Sequence, residues 1–230
     1  MKNLFLSTSF LAFLFLVSCG ESPRKTTKIP VTEDNTTATD KIQVSNKKVI
    51  LFFGTSLTAG MGLELQEAYP AVIQHKIDSL QLGFTVINAG LSGDTSASGK
   101  NRIEWVLNQD IAVFVLELGA NDGLRGVPLQ ETAANLQAIV DIVHAKNPAT
   151  KIVITGMQMP PNMGLEYTTE FKEMFPKLAR ENKLALVPFL LEDVGGNPAL
   201  NQDDGIHPTA EGQKILAANV WKVLEPILSE

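Results

Sequence analysis

Three residues of the kinds that activate a hydroxyl nucleophile stand far apart in this chain. They are Ser56 in Gly54-Thr55-Ser56-Leu57, and Asp204 with His207 in Asp203-Asp204-Gly205-Ile206-His207-Pro208. A serine hydroxyl is a poor nucleophile until a base takes its proton, and a neutral imidazole steered by a carboxylate is well suited to that work. Of the three histidines, His75 and His144 fall in helix-like segments and only His207 sits in a loop. Asp204 lies three positions before it. On a turn, that spacing lets the carboxylate fold back onto Nδ1 and leaves Nε2 facing outwards. Each residue also has a plain structural reading: Ser56 as a helix cap, Asp204 as the closer of an Asx-turn, His207 as a helix-start residue. Attack on a carbonyl further needs donors aimed at the developing oxyanion. Gly93, whose backbone N–H can approach a ligand, and Asn121, with a side-chain amide, are the candidates; their plain reading is a turn glycine and a turn asparagine.

The elements that must hold these residues are legible as an alternation. Val49–Phe53 is a continuous apolar run too short for a membrane span, and it breaks at Gly54 into a small-residue turn carrying Ser56. That pattern predicts a buried strand delivering a serine to a sheet rim. Further strands are expected at Phe84–Asn88, Ile111–Leu118, Lys151–Thr155 and Ala185–Phe189, the third being the most apolar and therefore central. Helices are expected after Pro70, through Arg102–Val106, over Leu129–Lys146, around Glu166–Asn182 with a break or bend at Pro176, and from Pro208 to the end. Five strands alternating with helices imply right-handed crossovers and a parallel sheet covered on both faces, an α/β fold whose ligands bind at the carboxyl ends of the strands. The unusual polar residues follow strands: Ser56 the first, Gly93 the second, Asn121 the third, Asp204 and His207 the fifth.

Composition narrows the function. A net charge of −6 argues against a nucleic-acid binder, which normally presents a basic face. The single cysteine, Cys19, rules out an intramolecular disulfide, and the scarcity of histidine makes a metal site unexpected. The dinucleotide glycine spacing and a P-loop lysine are both missing from Gly54–Gly62. At the N-terminus, Lys2 precedes an apolar run from Leu4 to Val17, of signal-peptide length and shorter than a bilayer span of roughly 20 residues. It ends Leu16-Val17-Ser18-Cys19-Gly20, which resembles the lipobox of bacterial lipoproteins. Residues 1–18 therefore read as a lipoprotein signal peptide and residues 19–46, rich in Ser, Thr, Lys, Glu and Asp, as a lipidated cysteine and flexible tether ahead of a domain at 47–230. Such a chain would face the periplasm or exterior of a bacterial cell envelope, anchored to the membrane through Cys19. An ordinary secretory peptide and an uncleaved anchor are the alternatives.

Four ordered blocks carry a family likeness. Gly54-Thr55-Ser56-Leu57 with Thr58-Ala59-Gly60, Asn88-Ala89-Gly90-Leu91-Ser92-Gly93-Asp94-Thr95, Gly119-Ala120-Asn121-Asp122 and Asp203-Asp204-Gly205-Ile206-His207-Pro208 resemble the SGNH hydrolase (GDSL esterase/lipase) family. The chain looks most like its bacterial thioesterase I/lysophospholipase/arylesterase branch. The likeness covers nearly all of the chain from Lys47 onwards. It implies a flavodoxin-like three-layer α/β/α fold with a five-stranded parallel sheet. It also implies Ser56 as nucleophile, the Ser56 N–H, Gly93 and Asn121 as oxyanion donors, His207 as base oriented by Asp204, and no metal or organic cofactor. The blocks depart from the family at one position, where Thr55 stands in place of aspartate. The aspartate's part is hydrogen bonding that shapes the turn; a threonine hydroxyl replaces some of those bonds but not the charge.

Met61, Leu63, Leu124, Val127, Met159, Met163 and Leu165 fall on loops at the expected rim, where they either form an adaptable acyl groove, with Met61, Leu124, Met159 and Met163 as its candidates, or pack the loops onto the domain. A groove suits medium-length esters or lysophospholipids. A carbohydrate O-acetyl esterase with a small polar pocket and a silent lipid- or glycan-binding module are the competing readings.

Overall fold

The computed structural model describes residues 47–229. The expected signal peptide at 1–18, the expected tether at 19–46 and the lipidation candidate Cys19 lie outside the described residues. Five strands form one parallel sheet: β1 (Lys48–Gly54), β2 (Phe84–Gly90), β3 (Ile111–Glu117), β4 (Lys151–Thr155) and β5 (Ala185–Val187), in the order β2-β1-β3-β4-β5. The strand with the most apolar sequence, β3, is central as expected. A sheet buried on both faces takes continuous apolar strands, and Ile50 to Phe53 and Val113 to Leu116 are all buried.

Helices connect the strands and cover both faces. α2 (Tyr69–Ser79) packs with α7 (Ala210–Leu228) on one side, while on the other α5 (Leu129–Lys146) packs against both α3 (Ser96–Val106) and α6 (Leu165–Asn182). The result is the three-layer α/β/α arrangement. Two short helices, α1 (Ser56–Ala59) and α4 (Ala120–Leu124), stand at the carboxyl ends of β1 and β3.

Three local expectations are revised. β2 runs on past Asn88 to Gly90, because Gly54 and Gly90 pair across the β1–β2 ladder and, lacking side chains, leave room for α1 to lie over them. α6 continues through Pro176 instead of breaking there. Proline inside a helix costs about 3 kcal/mol, and the burial of Phe171, Met174, Phe175 and Leu178 on one face outweighs it. α7 opens at Ala210 rather than Pro208: the Thr209 hydroxyl caps it by accepting from Gly212 N, and Pro208 pairs with Asn201 in an isolated antiparallel bridge.

The rim is set by register. Gly54, the end of β1, faces Gly90 on one side and Glu117 on the other, so β2, β1 and β3 finish level. The chain leaves β1 for one side of the sheet and returns on the other through β3, which places the crevice of an open α/β sheet beside these ends.

Candidate active site

Ser56 is the first residue of α1. Thr55, not Ser56, is the N-cap: its Oγ1 accepts from Leu57 N at 3.4 Å. Ser56 is therefore released from capping, and its Oγ lies 2.9 Å from His207 Nε2. On the far side of the imidazole, Nδ1 is 2.6 Å from Asp204 Oδ2. A carboxylate only accepts, so it receives a hydrogen bond from Nδ1–H, keeps the proton on that nitrogen and leaves Nε2 as an acceptor for the serine hydroxyl. Ser56 and His207 are partly buried, while the Asp204 side chain is 43% exposed. The Asp204 carboxyl is nevertheless held down to about 2. The bond to the His207 ring is the largest cause, followed by the donated N–H groups of His207 and Ile206. The Asx-turn reading and the carboxylate-partner reading are thus both satisfied, one through Oδ1 and the other through Oδ2.

The loop carrying Asp204 and His207 is pinned at several points. Gln202 N donates to His207 O at 2.7 Å and Thr209 N to Leu200 O at 2.9 Å, closing the turn. The Gln202 side chain donates to Met61 O just past α1, and Gln213 of α7 donates to Leu57 O within it. These bonds tie the C-terminal loop to the serine turn across more than a hundred residues of sequence.

Gly93 has φ +83°, a left-handed conformation that a side chain would strain. Its carbonyl accepts from Arg125 Nη1 at 3.0 Å. Among the described residues, neither its N–H nor that of Ser56 has an acceptor. Asn121, in the first turn of α4, spends one amide hydrogen on Asp94 O at 2.9 Å and keeps the other. Asp94 is itself buried against Arg102, whose Nε lies 2.6 Å from Oδ2, whose Nη2 donates to Gly54 O and whose guanidinium stacks on Phe53. Asp94 thereby links the Gly93 loop, Asn121 and the end of β1. At the rim, Met61 and Leu124 are about half exposed and Met163 is partly buried, whereas Met159 is buried beside Phe171 against Gly123 and packs the loop onto the domain.

Sequence reasoning passed over Glu117, Asp94, Arg102, Arg125, Gln202 and Gln213. Only Glu117 left a clear signal, a carboxylate ending an otherwise wholly apolar strand.

Comparison with known proteins gives the family and the fold. The model of the GDSL-like Lipase/Acylhydrolase family matches residues 52–215. The chain is 37% identical over 187 residues to Esterase TesA of Pseudomonas aeruginosa, covering 81% of this chain and 92% of the relative. It is 38% identical over 181 residues to thioesterase 1/protease 1/lysophospholipase L1 of Escherichia coli K12, covering 78% and 85%. The crystal structure of TesA superposes with a TM-score of 0.75 at 38% identity, covering 78% of this chain and 99% of the other.

Proposed function

Since the chain belongs to the GDSL-like lipase/acylhydrolase family and is a serine ester hydrolase, we propose that Ser56, His207 and Asp204 are its catalytic triad. The observation that carries this reading is the unbroken contact from Ser56 Oγ through both imidazole nitrogens to Asp204. The Ser56 oxygen attacks the substrate carbonyl as its proton passes to His207 Nε2. The oxyanion that forms is met by the N–H groups of Ser56 and Gly93 and by the unspent amide hydrogen of Asn121. Collapse breaks the bond to the leaving alcohol, which takes the proton from His207 and departs, leaving the acyl group on Ser56. Water then repeats the sequence: His207 removes its proton as its oxygen bonds to the acyl carbon, the acyl–serine bond breaks with the proton passing from His207 to Ser56 Oγ, and the carboxylic acid is released.

The preferred substrates in this reading are aryl esters, lysophospholipids and other esters with an apolar acyl chain; thioesters follow from the same attack. Support comes from the surface. Met61, Leu65, Leu91, Leu124, Leu165 and Ile206 are exposed large apolar side chains, and each lies between the end of a strand and the first turn of the long helix that follows it. Such a rim favours an acyl chain over an acetylated sugar. The test is a panel of esters with acyl length varied against aryl, lipid and sugar alcohols, run on the full chain and its Ser56→Ala variant together with fluorophosphonate labelling. We expect Ser56-dependent turnover and labelling, with a preference for acyl chains longer than acetyl. Labelling that survives Ser56→Ala rejects the nucleophile assignment, and a preference for acetylated sugars rejects the substrate class.

We also propose attachment to the cell envelope through lipid on Cys19, on the strength of Leu16-Val17-Ser18-Cys19 following an apolar run. Cys19→Ser is expected to move the protein from the membrane fraction to the soluble fraction; retention in the membrane overturns the assignment.

A further inference from the structure

Glu117 is the last residue of β3 and is 1% exposed, yet it is absent from the triad and from the oxyanion donors. An isolated carboxylate at the carboxyl rim of a buried strand is costly unless several donors reach it. Three do. Oε2 accepts from Thr55 N at 2.8 Å, from Thr55 Oγ1 at 3.0 Å and from Thr58 Oγ1 at 2.8 Å, and Thr55 Oγ1 also reaches Oε1 at 3.1 Å. All three donors come from the residues that bracket Ser56, one before it and one in the same turn of α1.

The bonding directions follow from the chemistry of the groups. Above about pH 7 Glu117 is ionised and only accepts, so the Thr58 hydroxyl spends its proton on it. Tyr69 Oη, 2.9 Å from Thr58 Oγ1, must then donate to Thr58. Tyr69 is fully buried, and its hydroxyl is pushed well above the usual phenol range by that burial and by the nearby Glu117 charge, so it keeps the proton it donates. Burial pushes the Glu117 carboxyl up to about 7, while the bonds from Thr55 and Thr58 pull it down. Gly54 completes the arrangement: a Cβ there would stand 2.6 Å from Glu117 Oε2, so the strand end must be bare for the turn to close over the carboxylate.

We propose that Glu117 is a positioning residue for the nucleophile, its buried carboxylate clamping Thr55 and Thr58 on either side of Ser56 so that the serine oxygen stays within reach of His207. This rests on the assignment of Ser56 as nucleophile. It gives Thr55 a specific part: as a hydroxyl it donates to Glu117, where an aspartate would set a second carboxylate against the first. Glu117 touches neither Ser56 Oγ nor the exposed apolar rim, so its removal acts on the serine's geometry and not on substrate binding.

The experiment compares Glu117→Met, which has no acceptor, with Glu117→Gln, which keeps one oxygen for the Thr55 N–H. Thr55→Val and Thr58→Val, each removing one hydroxyl donor, are measured beside them, with Thr55→Ser as the conservative partner. Each is assayed for kcat and KM on an aryl ester, for the rate of fluorophosphonate labelling, and for thermal stability. We expect Glu117→Met to lower kcat and the labelling rate by roughly 10- to 100-fold, the scale set by sub-ångström to ångström misplacement of a reacting group, with KM within about twofold. Glu117→Gln and Thr55→Ser should recover most of the loss, and the two valine variants should show smaller losses in kcat alone. A folded Glu117→Met with wild-type kcat, or a loss confined to KM, overturns the proposal. If Glu117→Met does not fold, wild-type kcat in both valine variants overturns it equally. Ser56→Ala separates the two layers: turnover that persists there removes the nucleophile reading itself, whereas an inert Ser56→Ala beside an unaffected Glu117→Met removes only the positioning role.

Discussion

Gly90→Ala tests how tightly the sheet edge fixes the serine turn. Gly90 ends β2 opposite Gly54, and its φ lies outside the left-handed region, so alanine meets no backbone strain of its own. The obstacle is steric. A Cβ at Gly90 would stand 2.8 Å from both Ala59 Cα and the Thr58 carbonyl carbon, with Ala59 N nearer still, and ordinary contacts begin at 3.4 Å. Every one of these atoms is backbone of α1, so no rotamer change relieves the clash, and the nearest of them, Ala59 N, requires α1 or β2 to move by about 1 Å. A movement of that size along the line from Ser56 Oγ to His207 Nε2 stretches 2.9 Å to about 3.9 Å, beyond the reach of a hydrogen bond. Overpacking of this kind costs about 1–3 kcal/mol, which for a domain of this size corresponds to a Tm lowered by roughly 2–12 °C. The catalytic loss should be roughly 10- to 100-fold in kcat. Calorimetry and steady-state hydrolysis of an aryl ester measure the two effects on the same sample. Wild-type kcat in Gly90→Ala would refute the reasoning, because it would mean that the serine turn tolerates displacement by its floor.

Three further outcomes are expected. The Glu117 carboxyl is raised from 4.5 to about 7 by burial, so the native state binds that proton more tightly than the unfolded chain does. The stability it contributes is fully present below pH 4.5 and is lost as pH rises to about 7, a change of about 3 kcal/mol at ~1.36 kcal/mol per tenfold. Tyr69, its titratable neighbour, stays protonated throughout this range. Urea unfolding of Glu117→Gln should lack that slope, so that its stability relative to wild type rises from pH 4.5 to 7; parallel curves would contradict the shift. Asp204→Asn preserves an oxygen for the Ile206 and His207 N–H groups but offers an N–H to Nδ1, which drives the imidazole to the wrong tautomer; kcat should fall by roughly 10²- to 10⁴-fold with little change in Tm. Asn121→Ala should lower kcat by roughly 10²- to 10³-fold in the same assay, and a KM effect alone would argue that the amide holds Asp94 O without meeting the oxyanion.

Much of this architecture is written locally. The apolar runs at β1, β3 and β4 announce buried strands because a strand covered on both faces admits no polar alternation, and the 18 residues of α5 are bounded in the sequence as they are in space. Ser56, Gly93, Asn121, Asp204 and His207 are likewise visible from the sequence, since each belongs to a short block with an unusual local composition immediately after a strand or before the last helix. The Asp204–His207 contact is nearly local too, spanning three positions on a turn.

What the tertiary structure alone decided concerns partners that are distant along the chain. The 2.9 Å separation of Ser56 and His207 joins residues 151 apart and depends on Gln202 and Gln213 pulling the last loop onto α1. Thr55 could be judged from sequence only as a departure from a motif; its hydroxyl has a purpose because Glu117, 62 residues later, ends β3 level with Gly54. The same level strand ends carried β2 on to Gly90, and packing of Phe171 and Phe175 carried α6 through Pro176. Periodicity and turn chemistry are properties of neighbouring residues, so the sequence determined which segments are strands and which loops bear reactive groups. Hydrogen bonding and steric fit are properties of atoms brought together by the sheet, so only the fold determined which carboxylate faces which hydroxyl.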